Sequence, residues 1–202
     1  LRGPKTWSSR SPEEDEMLSM GKNAIFVESS RDNRNNLCPP PAIPYQRMGP
    51  KIAELFERVF IDGLHNPNSR PSASEWERAL CRTLDLLLPS SDKKDQWFVL
   101  GAGMPVVCPF TYQKPKTPVP IIDFFREDGE EFKHEQIQLV IWKDLQIFDW
   151  HRFSGVNASD SSVDKSPRGV FSYSDGKWWL QNQSGECMLE VDTNGGQHIE
   201  HQ

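Results

Sequence analysis

Apolar and polar positions change their period once along the chain, close to Pro89. Before that point the spacing is helical. Ile52, Leu55, Phe56, Val59 and Phe60 recur at offsets of three, four, seven and eight, which places them on one face of a helix opened by Gly49-Pro50 and ended by Gly63. A second helix is predicted after Ser72-Ala73-Ser74-Glu75, where the Ser hydroxyl and the Glu carboxylate three residues on can satisfy each other's backbone amides. Its core face is expected to bury Trp76, Ala79, Leu80, Thr83, Leu84 and Leu87, with Pro89 as its stop. A shorter helix is predicted from Ser11-Pro12-Glu13-Glu14 to about Met20, closed by Gly21. An extended piece, Ala24 to Glu28, and a polar stretch, Arg31 to Asn36, lead from it to the triple proline.

After Pro89, branched and aromatic residues cluster in short runs that read as strands: Trp97 to Leu100, Val119 to Phe125, and Gln138 to Trp142. Gly169 to Ser174 and Lys177 to Gln181 flank Asp175-Gly176, a hairpin turn, and a last strand is expected over Cys187 to Val191. Ser154 to Pro167 is polar and reads as a loop. The fold class expected is α+β, an N-terminal helical segment followed by a small, mainly antiparallel β-sandwich. The expected division is 1–89 helical, 90–118 an irregular connector, and 119–202 β-rich.

Composition narrows the function. A net charge of −6 without dense Lys/Arg runs argues against nucleic acid as a partner. No stretch approaches the ~18 apolar residues of a membrane span. Leu1-Arg2-Gly3-Pro4 has neither an initiator Met nor an apolar leader, so a fragment or processed product is expected. The cysteines, at 38, 81, 108 and 187, are scattered, which suits a reducing, cytoplasmic setting. Sixteen prolines, mostly in the first half, imply long loops around few regular elements.

Chemistry-bearing patterns are incomplete. Phosphoryl transfer needs a glycine cradle, an ion-pairing Lys and two Asp roles. Gly101-Ala102-Gly103-Met104-Pro105-Val106 lacks the third glycine, and His151-Arg152-Phe153 has Phe where a catalytic Asp would stand. Cys108 has no second thiol within ligand spacing, and no Gly-x-Ser-x-Gly elbow occurs. Neither catalytic residues nor a metal or other cofactor is expected within the chain.

Phe56-Glu57-Arg58-Val59-Phe60, then Asn66-Pro67-Asn68-Ser69-Arg70-Pro71-Ser72-Ala73, then Glu75-Trp76 resemble the end of a protein kinase C-lobe. The wording is most similar to bacterial kinase-like proteins associated with tellurite-resistance operons, over about residues 1–88. The resemblance implies a kinase or pseudokinase core upstream, with Arg70, Ser72, Glu75 and Trp76 as structural residues of its tail. In kinases the Arg matching Arg70 pairs with a Glu that precedes this chain; here it must find another partner or stand in water. Val170 to Ser174 with Trp178-Trp179-Leu180-Gln181-Asn182 resembles a forkhead-associated sandwich, which would place Arg152 and Asn182 at a phosphopeptide site. Asp164 stands where that site expects a Ser. The resemblance also implies a zinc ribbon between the two parts, but Cys108-Pro109-Phe110-Thr111 has lost the second Cys of its ligand word. The function expected is a non-catalytic interaction or regulatory region that contacts a protein partner or the kinase-like core. The alternatives are part of an active Ser/Thr kinase and a phosphopeptide reader.

Overall fold

The computed structural model describes residues 11–37, 40, 43–91, 95–101, 103–186, 188–191 and 198–201, the last two stretches as backbone only. Leu1-Arg2-Gly3-Pro4, Cys38 and Cys187 fall outside the described residues. The content is α+β, with small antiparallel sheets and two compact units, Leu1–Lys116 and Thr117–Gln202. Most of the stretch 90–118 therefore belongs to the first unit.

In the first unit, α1 (Pro12–Ser19) starts where the Ser11 hydroxyl accepts the Glu14 amide at 3.2 Å, with acidic residues in its first turn. Helix α2 (Pro50–Glu57) follows Gly49, whose φ is +94°. A Cβ at Gly49 would lie 2.8 Å from Val99 Cγ1, so both conformation and space require glycine. The helix widens into a π-turn over Arg58–Asp62 and ends at Gly63. Helix α3 (Ala73–Leu84) carries the predicted capping box: Ser72 Oγ accepts the Glu75 amide at 3.3 Å, and Glu75 Oε2 accepts the Ser72 amide at 2.7 Å.

Helices α2 and α3 pack through Ile52, Leu55 and Ala79, with Phe56 and Trp76 against them. Phe26, Tyr45, Phe56, Phe60 and Trp76 continue the core as a chain of ring contacts 5.2–6.0 Å apart. The inward face of α3 is narrower than its sequence pattern predicts. Leu80 and Leu84 are 53% and 64% exposed, and the face against α2 is built on Trp76, Ala79 and Thr83 instead. Pro89 is also not a helix stop. The helix ends at Leu84, and Pro89 closes a strand, β1 (Leu87–Pro89), paired with β2 (Trp97–Val99) in the register Pro89↔Trp97. The hairpin buries Leu88 and Phe98, with Leu86 and Leu100 buried just outside it.

In the second unit, β3 (Ile121–Asp128) and β4 (Glu131–Val140) form a hairpin longer than the pattern predicts, turning at Gly129-Glu130. The register slips between Asp123 and Phe125, and Gln136 opposite has a φ of +57°, which marks a β-bulge. A second sheet orders β5 (Gln146–Ile147), β6 (Gly169–Ser174) and β7 (Lys177–Asn182), the last two joined by the predicted Asp175-Gly176 turn. Both turn residues have positive φ, 51° and 77°. A one-turn helix, α4 (Asp149–Arg152), follows β5 and was not legible in the periodicity. Leu139 and Ile141 from the hairpin side meet Ile147 and Phe171 of the second sheet, with Ile122, Phe124, Leu145 and Trp178 around them. The predicted last strand is β8 (Met188–Val191), paired with an unanticipated β9 (His198–His201). No helix among the described residues is long and apolar enough to cross a membrane.

Candidate binding cleft

The β-rich unit holds an open cleft of about 240 Å³ lined by Phe124, Phe125, Ile147, Arg152, Phe153, Arg168 and Leu180. Its lining is apolar except for two guanidinium groups. The bulge in β4, opposite Phe124, shapes one wall. Regular strand alternation sends neighbouring side chains to opposite faces, but Phe124 and Phe125 both line the cleft where the register slips. Helix α4 supplies Arg152, and the residue after it, Phe153, puts its ring 5.1 Å from the Arg152 guanidinium carbon.

The two arginines are held very differently. Arg168 forms a two-pronged pair with Asp149, Nε to Oδ1 at 3.1 Å and a terminal nitrogen to Oδ2 at 2.6 Å, and reaches Asp164 at 2.9 Å. Short, bidentate, charge-assisted bonds of this kind fix a side chain. Arg152 has looser ionic contacts: 3.4 Å to Asp149 Oδ1 and 3.6 Å to Glu186 Oε2. The second lies beyond hydrogen-bond length, so attraction without a directional bond holds that pair. Arg168 is thus an anchor, and Arg152 is the cation free to reorganise.

The structure brings the two predicted phosphopeptide residues together, through Glu186. Its carboxylate faces Arg152, while its backbone oxygen accepts from Asn182 Nδ2 at 2.6 Å. Asn182 is otherwise occupied, since its Oδ1 accepts the Ser184 amide at 2.9 Å and the Ser184 hydroxyl at 2.8 Å. Its side chain closes its own turn rather than facing a ligand. Asp164 takes the Ser166 amide at 2.9 Å and pairs with Arg168. The Ser166 amide and hydroxyl hold the Asp164 carboxyl below the usual carboxylate range, so it is ionised.

The remaining predicted residues lie in the first unit and act structurally there. Of the two alternatives for Arg70, the structure supplies other partners: Nε donates to the Gly63 carbonyl at 2.8 Å, and a terminal nitrogen reaches the Leu64 carbonyl at 3.3 Å. It ties the end of the π-turn to the start of α3. Glu75 does two jobs, capping at Ser72 and pairing with Arg58 at 2.6 Å. Arg58, with the Ser72 amide, pulls the Glu75 carboxyl down to about 2. Ser72 is the cap itself, and Trp76 meets Phe56 edge-on at 6.0 Å.

A larger concavity of about 560 Å³ lies in the first unit, beside Leu18, Phe26, Phe60 and His65. Arg31 and Arg34 border it, but each is locked to a carboxylate, Asp62 at 2.5 Å and Asp32 at 2.6 Å. Cys108 is buried, and its thiol donates to Ser90 Oγ at 3.6 Å. No cluster of three or more His, Cys, Asp or Glu suited to a metal ion occurs among the described residues. The sequence pattern had pointed to Arg152 but not to Phe124, Phe125, Leu180, Arg168 or Glu186. These meet only through sheet pairing, and the Asp123/Phe125 slip leaves no mark in the period. No family model, no curated protein and no solved structure matches this chain.

Proposed function

We propose that this chain is a non-catalytic interaction region of a protein-kinase-like protein, and that its β-rich unit grips a segment of a protein partner in the Arg152 cleft. The observation that carries the reading is the cleft itself, an apolar hollow with a loosely held guanidinium on its wall. Clefts of this composition supply burial through their lining and orientation through a few polar groups. At about 240 Å³ it suits one or two side chains rather than a cofactor.

Support for the kinase-like relation is the wording of Gly49 to Leu88, whose Arg-Pro-Ser-Ala segment caps α3 and whose Glu75 links that cap to Arg58. A cytoplasmic setting is supported by the free, buried thiol of Cys108. Two measurements test the reading. Calorimetry with magnesium ATP should give no saturable heat, and micromolar binding would overturn the non-catalytic assignment. Panning a random peptide display library should enrich a common pattern that Phe125→Ser and Phe153→Ser abolish. Enrichment that survives both substitutions would overturn the cleft.

A further inference from the structure

Glu186 already occupies the anion position at Arg152, and its attachment is lopsided. The backbone is pinned: its oxygen accepts from Asn182 at 2.6 Å, and its amide donates to Ser184 Oγ at 3.0 Å. The carboxylate, by contrast, belongs to a side chain 66% exposed and stands 3.6 Å from Arg152. It can swing into water at small cost, because exposed ion pairs contribute little. When nothing else is bound it is always at hand, since tethering keeps its local concentration high.

The rest of the wall is apolar. The Arg152 guanidinium beside Phe153 and Leu180 keeps Asp149 at 3.4 Å, and an entering group that displaces Glu186 restores the second ionic contact only if it brings a carboxylate of its own. Asp149 and Asp164 cannot serve as that displaceable ion, because short bonds commit them to Arg168. Glu186 is the acid with a loose carboxylate.

Resting on the interaction reading above, we infer that the cleft takes an apolar side chain adjoining a carboxylate on a partner peptide, and that Glu186 is the internal competitor it displaces from Arg152. The device gates affinity and selects. Neutral apolar groups leave Glu186 in place and gain only from burial, while an apolar group with an acidic neighbour gains both burial and the Arg152 contact.

The test uses two dyes of one shape. 8-Anilinonaphthalene-1-sulfonate has an aromatic body with an anionic head, and N-phenyl-1-naphthylamine is its neutral counterpart. Both are titrated by fluorescence against the whole chain. Glu186→Gln should tighten the sulfonate about two- to fivefold, the range of an exposed ion pair, and leave the neutral dye unchanged. Arg152→Ala should weaken only the sulfonate. Glu130→Gln, at the hairpin tip, removes the same charge elsewhere and should change neither. Phe153→Ser should weaken both.

If neither dye responds to Phe153→Ser, the cleft is not the binding place and the interaction reading fails with it. If Phe153→Ser weakens both dyes but Glu186→Gln does not tighten the sulfonate, the cleft stands and the competitor role is overturned. Acetyl-Asp-Phe-amide should displace the sulfonate better than acetyl-Asn-Phe-amide, and equal displacement would overturn the carboxylate preference. A phosphothreonine counterpart that displaces more than ~10-fold better would reassign the head group to phosphate.

Discussion

Replacing Asp85 with Asn should make the protein more stable at pH 7 and remove a specific part of its pH dependence. Asp85 is buried where α3 hands over to β1, with Arg82 at 3.3 Å. Burial pushes its carboxyl up to about 6, only partly opposed by Arg82. Its ordinary value of 3.8 applies in the unfolded chain, so the fold holds the proton more tightly. The stabilising contribution is therefore fully present below pH 3.8 and is lost as pH rises through about 6. A shift of this size corresponds to roughly 1–3 kcal/mol at neutral pH. Asn keeps a carbonyl acceptor and carries no charge, so Asp85→Asn should recover about that amount at pH 7 and little at pH 4. Glu75 and Asp32, both held down to about 2, act only below the ordinary carboxylate range, so neither contributes to the difference between the two proteins at pH 5–7. Urea melts of both proteins at pH 5, 6 and 7 measure the difference. A difference between the two proteins that stays constant across that window, or an Asn variant weakened equally at every pH, would refute the reasoning.

Trp76→Ala should cost about 1.5–3 kcal/mol in denaturant melts, less than a fully buried Trp because its ring is half-buried against Phe56. A loss below ~0.5 kcal/mol would mean that the α2–α3 contact contributes nothing there. Gly49→Ala should cost about 2–4 kcal/mol, since it combines a glycine-only backbone angle with a contact of 2.8 Å to Val99. A variant as stable as the parent would contradict that placement of α2 against β2. Elemental analysis of the purified chain should find no stoichiometric zinc, because Cys108 lacks the second thiol of its ligand word. Near-stoichiometric metal would point to ligands distant in sequence.

The elements most legible in sequence were those defined by local chemistry. Ser11 and Ser72 announce α1 and α3 because a cap and its amide lie three residues apart, and Asp175-Gly176 announces its hairpin because a two-residue turn needs positive φ. Periodicity was less informative about depth. It marked Leu80 and Leu84 as core on the strength of helical spacing, but spacing does not say how wide the contacting face is. Pro89 reads as a stop in a helical frame, yet as the end residue of a short strand it pairs with Trp97 without difficulty. The cleft was the least legible part. Arg152 and Asn182 were picked out, but Glu186, which joins them, is an ordinary loop acid in sequence. Phe124 and Phe125 required knowledge of a register slip that is decided by the opposite strand.

The claim that the Arg152 cleft is the contact surface is tested most directly by hydrogen exchange, comparing the free chain with the chain bound to a peptide selected by panning. Amides in Phe124–Phe125, Ile147–Phe153 and the end of β7 should exchange more slowly in the complex, and Arg152→Ala should remove that protection. Slowing confined to Ile25–Arg34 and Phe60–His65, around the larger concavity of the first unit, would contradict the account and move the contact there.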